Sequence, residues 1–189
     1  MPVNYQAPIE FLMKLSLSLL LLMLITMRVS GSNIPELRML YFKAVKDKSA
    51  ADKLLYLTEN FPDKSQPIIL SYKGMAYMLQ ASYVINPYLK WSYFRKGRAF
   101  LEVAVANDPS NVEIRFLRFC AQTNSPFFLG YHNEISNDKY FILVSLNQLS
   151  DFDLKRKIKE YLMTSEFCGK RDKLMLQTVN KQSGKTNIL

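Results

Sequence analysis

The chain has 189 residues, of which 49% are hydrophobic and 13% aromatic, with only 6 glycines and 8 prolines. This composition excludes a disordered or collagen-like chain, and the length indicates one domain with a single ordered core. Lys and Arg total 25 against 16 Asp and Glu, a net charge of +9. Such a surplus favours acidic partners in general without selecting one class of them.

Two cysteines and one histidine limit the chemistry that the chain can perform. Cys120 and Cys168 cannot form a zinc cage by themselves, nor are they spaced as a CxxC redox pair. We therefore expect no metal and no cofactor. Cys120 lies in the apolar run 116–121, which favours a buried free thiol, with a Cys120–Cys168 disulfide as the alternative in an exported chain.

An apolar stretch near the N-terminus has the layout of an export signal. Lys14 precedes it, residues 15–27 are almost entirely apolar, and small residues follow as far as Ser32. The stretch covers about 20 Å as a helix, whereas the core of a bilayer is about 30 Å thick. The pattern therefore predicts a secretory signal peptide over residues 1–32 and an exported protein, periplasmic or secreted.

Several details of this segment stay open. Cleavage after Gly31 and cleavage after Ser32 fit the small-residue pattern equally well. Met13 is an alternative start, in which case residues 1–12 are an upstream extension. If the segment is not cleaved, residues 9–29 would anchor the protein in a membrane, which is the only membrane contact that we expect.

Beyond residue 32 the apolar side chains recur every three to four residues, which predicts an all-α fold. The third helix has two apolar stripes, one through Gly74 and Tyr77 and one through Met75 and Leu79, so we expect it to make contacts on two sides. The predicted domain covers residues 33–168, and we expect residues 169–189 to be a basic, flexible tail. The helices are predicted over 34–47, 49–60, 67–85, 87–107, 110–123, 138–148 and 151–166.

The third and fourth helices carry a repeat-like pattern. Leu70, Lys73, Gly74 and Tyr77 stand at the positions of W-x2-L-G-x2-Y, and Gly97, Leu101 and Pro109 stand at the A-x3-F and proline positions. Residues 67–111 therefore resemble one tetratricopeptide repeat unit, with each helix lengthened by about a turn and a half. The resemblance implies antiparallel helix pairs stacked as a short right-handed superhelix, which binds a protein or peptide on its concave side. An irregular helical bundle is the alternative. The expected packing residues are Leu70, Gly74, Tyr77, Gly97, Leu101, Ala104 and Pro109, with Gly74 letting the partner helix approach closely.

The irregular connection 124–137 and the helix before it supply the candidate partner contacts. Large apolar side chains in such a connection either cap the end of the helix stack or insert into a partner. Two arginines are expected on the wet face of the fifth helix. The candidate contact residues are Phe127, Phe128, Leu129, Tyr131, Arg115 and Arg118.

Residues 90–98 interleave aromatic and basic side chains, a combination that binds single-stranded nucleic acid by stacking and phosphate contacts. At helical spacing, however, Trp91 and Phe94 share the inward face while the basic residues spread around the outside. We therefore favour a core stripe with a solvated basic face, and we do not expect a nucleic-acid partner.

We expect a non-enzymatic, exported scaffold or adaptor that binds a protein or peptide. The alternative is an exported binder of nucleic acid or anionic surfaces, because 23 Lys and Arg against 15 Asp and Glu leave a net charge of +8 beyond residue 32. A remoter alternative is a hydrolase centred on Cys120 and His132. That activity requires an exposed Cys120 within hydrogen-bond reach of the imidazole.

Overall fold

The computed structural model describes residues 34–183, and the side chains as far as residue 178. The predicted signal peptide 1–32, its extension 1–12 and the alternative anchor 9–29 lie outside the described residues, together with residues 184–189. Over residues 34–183 the regular elements are helices without a strand, so the predicted all-α fold is confirmed. The helices are α1 (Ile34–Ala44), α2 (Lys48–Glu59), α3 (Pro67–Tyr83), α4 (Pro87–Asn107), α5 (Val112–Thr123), the 3-10 turn Phe127–Leu129, α6 (Ile135–Ser145), α7 (Phe152–Thr164) and α8 (Lys170–Ser183).

Local signals set the starts of the central helices. Proline occupies the first position of α3 and of α4, where its missing N–H costs no helical hydrogen bond. The side chain of Asn86 caps α4 by accepting from the backbone N–H of Tyr88 and Leu89 at 2.9 and 3.2 Å. Asn111 caps α5 in the same way. These caps satisfy backbone N–H groups that the first turn of a helix leaves without a partner. Because asparagine is a preferred capping residue, the starts of both helices can be predicted from the sequence.

Two glycines bring α3 and α4 into backbone contact. A Cβ on Gly74 would lie 2.8 Å from the carbonyl oxygen of Gly97, and a Cβ on Gly97 would lie 2.7 Å from the carbonyl oxygen of Gly74. Only glycine fits at either position without separating the two helices. The close approach that we predicted for Gly74 is therefore confirmed, and Gly97 is its counterpart.

The other expected packing residues divide by depth. Leu101 and Ala104 are fully buried, as expected for the inward stripe of α4. Leu70 is partly buried and packs against a cluster that contains Ala104, and Tyr77 is also only partly buried. Pro109 is exposed in the turn between α4 and α5.

The C-terminal part differs from the prediction. The structure has the helix α8 where we expected a flexible tail, and its Leu176 is fully buried. Asp172 accepts a hydrogen bond from the backbone N–H of Gly169 at 3.0 Å and pairs with Lys139 of α6 at 2.9 Å. The sequence of this segment is mostly polar and basic, and Leu176 is the one fully buried side chain among its described residues. The segment therefore lacks the repeated apolar positions from which a packed helix is predicted. The sixth helix also begins earlier than predicted, at Ile135 instead of residue 138.

Candidate binding cavity

One face of α3 and one face of α4 line a cavity of about 680 Å³, here called the α3–α4 cavity. The lining residues of α4 are spaced i, i+3, i+4, i+7, and those of α3 have the same spacing with Ala81 in addition, so each face extends over two turns, about 10 Å. These faces lie between the Gly74–Gly97 contact and the short connection that joins the two helices. The lining residues are Met75, Met78, Leu79, Ala81 and Ser82 on α3 and Pro87, Lys90, Trp91 and Phe94 on α4.

Four other elements complete the α3–α4 cavity. α1 with the residue after it, α5 and α7 add side chains, and the 3-10 turn adds two more. Lys90 is the one charged side chain among the described lining residues. The volume and the apolar lining are typical of sites that bind ligands or apolar segments of partners. The additional residues include Tyr41, Val45, Cys120, Ala121, Tyr161, Phe128 and Leu129.

Large apolar side chains remain exposed around the α3–α4 cavity. Trp91 is 48% exposed and Phe128 is 86% exposed, although both line the cavity. Phe127 next to Phe128, Ile85 in the α3–α4 connection and Tyr88 in the first turn of α4 are also strongly exposed. Exposed apolar groups that cluster in this way mark interaction sites on folded proteins.

The predicted contact loop therefore has two roles. Phe127 and Phe128 are exposed and Leu129 is partly buried, whereas Tyr131 is buried and donates a hydrogen bond to Glu102 at 2.7 Å. The hydrogen bond of Tyr131 joins the loop to α4, while Phe128 and Leu129 line the cavity. Gly130 ends the 3-10 turn at φ 60°, a backbone conformation that favours glycine.

Arg115 and Arg118 do not occupy the wet face that we predicted for them. Arg118 is 5% exposed, and its Nε and Nη2 lie 2.7 and 2.8 Å from the carboxylate of Asp138 in α6. Arg115 reaches the same carboxylate at 2.8 Å. Asp138 is fully buried, so its charge requires these partners. The two arginines therefore join α5 to α6.

Trp91 also departs from the prediction, which placed it on the inward face with Phe94. Phe94 is buried, and Trp91 stacks on it with ring centroids 5.7 Å apart. About half of the Trp91 side chain stays exposed, and it lines the α3–α4 cavity.

The thiol of Cys120 is 1% exposed, and burial raises its pKa to about 12. This environment is the opposite of the electropositive, accessible site that activates a thiolate. His132 is engaged elsewhere, because its Nε2 lies 3.1 Å from the carbonyl oxygen of Ser125 and its ring stacks on Phe127. The exposed thiol that the hydrolase alternative requires is therefore not found. Cys120 and Cys168 are both free and buried, so the alternative of a disulfide is not realised in this structure.

Five basic side chains on α3 and α4, here called the α3–α4 cations, have no ion-pair partner within the described part of the chain. Three of them lie over aromatic rings instead: Lys73 over Phe100, Lys96 over Tyr77 and Arg98 over Tyr131. The two helices hold a single carboxylate, that of Glu102, which already accepts from Arg118 at 2.8 Å and from Tyr131. α3 and α4 together therefore carry five basic side chains against one carboxylate. The α3–α4 cations are Lys73, Lys90, Arg95, Lys96 and Arg98.

Two other classes of site are absent from the described residues. None of the helices described is both long enough and apolar enough to cross a bilayer. No group of three or more His, Cys, Asp and Glu side chains in this part of the chain is arranged to hold a metal ion.

Sequence reasoning identified part of this site. The second apolar stripe of α3, with Met75 and Leu79, indicated a second contact face, and this face lines the cavity. The role of Lys90 and the exposure of Trp91 were missed. No local signal marks them, because both depend on where α4 lies relative to the 3-10 turn.

Comparisons with known proteins give no relative. No model of a protein family matches the chain, no curated protein matches it at a significant level, and no solved structure matches it at a significant level.

Proposed function

We propose that this chain is an exported, non-enzymatic protein of tetratricopeptide-like architecture that binds an apolar segment of a protein or peptide. The observation that carries the proposal is the α3–α4 cavity, an apolar recess of about 680 Å³ beside the exposed rings of Trp91 and Phe128. The export part rests on the signal-like pattern of residues 1–32, and the repeat part on residues 67–111.

The apolar lining indicates how a partner would gain affinity. Covering an exposed phenylalanine completely contributes about 2 kcal/mol, roughly a thirtyfold change in affinity. Phe128 and Trp91 both offer such area. Met75 and Met78 have unbranched, adaptable side chains, which suit a recess that accepts a row of apolar side chains. Aromatic anchors of this kind commonly dominate the binding energy of an interface.

A peptide selection tests the proposal. The purified chain is used to select from a displayed library of random peptides, and each selected peptide is then titrated against Phe128→Ala and Phe152→Ala. Phe152 is also strongly exposed but does not line the cavity, so its variant is a matched control. We expect binding at least tenfold weaker with Phe128→Ala and unchanged with Phe152→Ala. A selection without enrichment, or equal effects of the two substitutions, would contradict the proposal.

A second candidate is an exported binder of nucleic acid or anionic surfaces, and the α3–α4 cations favour it because they have no ion-pair partner among residues 34–178. Such binding would fall steeply with added salt, because it depends on the release of counterions. An oligonucleotide whose affinity falls in this way, and does not change with Phe128→Ala, would support this candidate over the first.

A further inference from the structure

We propose that the partner segment of the α3–α4 cavity is an acidic amphipathic helix, whose apolar face fills the recess while its carboxylates pair with Lys90, which lines the cavity, and with Arg95, one helical turn beyond Trp91. This inference rests on the proposed function and names the chemistry of the partner.

The shape of the recess suits a helix. Its two main walls are the i, i+3, i+4, i+7 faces of α3 and α4, each about 10 Å long. An amphipathic helix presents apolar anchors at the same spacing, and two of its turns cover the same length. Met75 and Phe94 are almost completely buried and border the deep part of the recess. A row of protruding side chains reaches such a depth, whereas a flat bilayer surface does not.

The charge around the recess selects among amphipathic helices. Lys90 lines the cavity, and Arg95 follows Trp91 by one helical turn. Neither forms an ion pair with another described residue. Glu102, the one carboxylate on these two helices, is occupied by Arg118 and Tyr131, so it offers little to a basic partner. Fixed charges on one side of a site favour partners of the opposite charge and disfavour those of the same charge.

The fluorescence of Trp91 reports on binding, because Trp91 is the only tryptophan in the chain, is about half exposed and lines the recess. Three tryptophan-free synthetic peptides, each about five helical turns long, share one leucine face and differ only in a polar face of Glu, Gln or Lys. Each is titrated into the full chain, and the blue shift of the Trp91 emission is followed at low and high salt. We expect the Glu peptide to bind at least tenfold more tightly than the Gln peptide at low salt, and the Lys peptide to bind most weakly. Because salt screens exposed charges, the preference should shrink to about twofold at 0.5 M salt.

Charge variants locate the preference. The double variant Lys90→Gln, Arg95→Gln should reduce the affinity for the Glu peptide at least fivefold, with the affinity for the Gln peptide unchanged. Lys170→Gln, Arg171→Gln removes the same number of exposed charges from α8, away from the recess, and should leave both affinities unchanged. Circular dichroism checks that each variant keeps the helix content of the original chain.

The outcomes separate this inference from the proposed function. Equal binding of the Glu and Gln peptides, abolished by Phe128→Ala, would overturn the inference and leave the proposed function standing. If no peptide binds and the library selection also fails, both are overturned. If vesicles containing phosphatidylglycerol shift the Trp91 emission while the Glu peptide does not, the partner is an anionic bilayer and the inference is wrong. If both double variants lose the same affinity for the Glu peptide, the preference for acidic peptides comes from the net charge of the protein and not from the recess, and the inference is wrong.

Discussion

Gly97→Ala is expected to destabilise the protein, although alanine favours a helix more than glycine does. The new methyl group would lie 2.7 Å from the carbonyl oxygen of Gly74 and 2.7 Å from the Cγ of Met78. Nonbonded heavy atoms prefer separations of about 3.5–4.0 Å. Met78 can change its rotamer, but Gly74 offers only backbone at this point. The substitution therefore requires α3 and α4 to move apart.

The magnitude follows from two opposing effects. Replacing glycine by alanine inside a helix contributes about 1 kcal/mol of stability through backbone entropy and propensity. Overpacking a close contact costs about 1–3 kcal/mol, and the rigid backbone oxygen at Gly74 places this case in the upper part of that range. We expect the free energy of unfolding to fall by about 1–2 kcal/mol, the difference between the two effects. Met78 lines the α3–α4 cavity, so peptide binding should weaken as well.

Urea denaturation followed by circular dichroism measures the change. Ala99→Gly, at an exposed position of the same helix, is the control for propensity alone and should cost about 1 kcal/mol. If Gly97→Ala instead raises the free energy of unfolding by about 1 kcal/mol, helix propensity acts without opposition. The two backbones would then not be in contact, and the reasoning about Gly74 and Gly97 would be refuted.

Three further outcomes are expected. Asp138→Asn should lower the free energy of unfolding by about 3–5 kcal/mol in urea denaturation, because it removes the buried carboxylate that pairs with both Arg115 and Arg118 and leaves Arg118 only the partly exposed Glu102. A change below about 1 kcal/mol would contradict the buried pair. Cys120 should react with iodoacetamide at pH 8 at least a hundredfold more slowly in the native chain than in urea, because burial raises the pKa of its thiol to about 12 and shields it. Mass spectrometry measures the two rates, and equal rates would show that the thiol is accessible. Burial and the hydrogen bond to Glu59 raise the pKa of Tyr77 to about 12, so its phenol ionises first in the unfolded chain, and stability should fall as the pH rises from about 10 to 12. Tyr77→Phe should lessen this fall in urea denaturation, and an equal fall in both proteins would exclude Tyr77 as a source.

The helical composition and the main boundaries were determined by the sequence alone. Pro67, the Asn86-Pro87 pair and Asn111 act on backbone groups within the next turn, so their effect does not depend on the rest of the fold. The apolar period likewise predicted that Phe94, Leu101 and Ala104 face inward. The close contact at Gly74 was predicted from the resemblance of residues 67–111 to a repeat unit, in which a glycine at this position lets the partner helix approach closely.

Tertiary structure decided the site. The sequence predicted Arg118 on the wet face of α5, and the position of Asp138 on α6 explains why it is buried instead. Leu176 is buried through contacts that no local pattern of α8 reveals. The α3–α4 cavity joins Met75, Trp91 and Phe128, which come from three elements. Apolar period and capping act over a few residues along the chain, whereas a recess exists only where neighbouring helices fail to fill the space between them, which depends on how they cross.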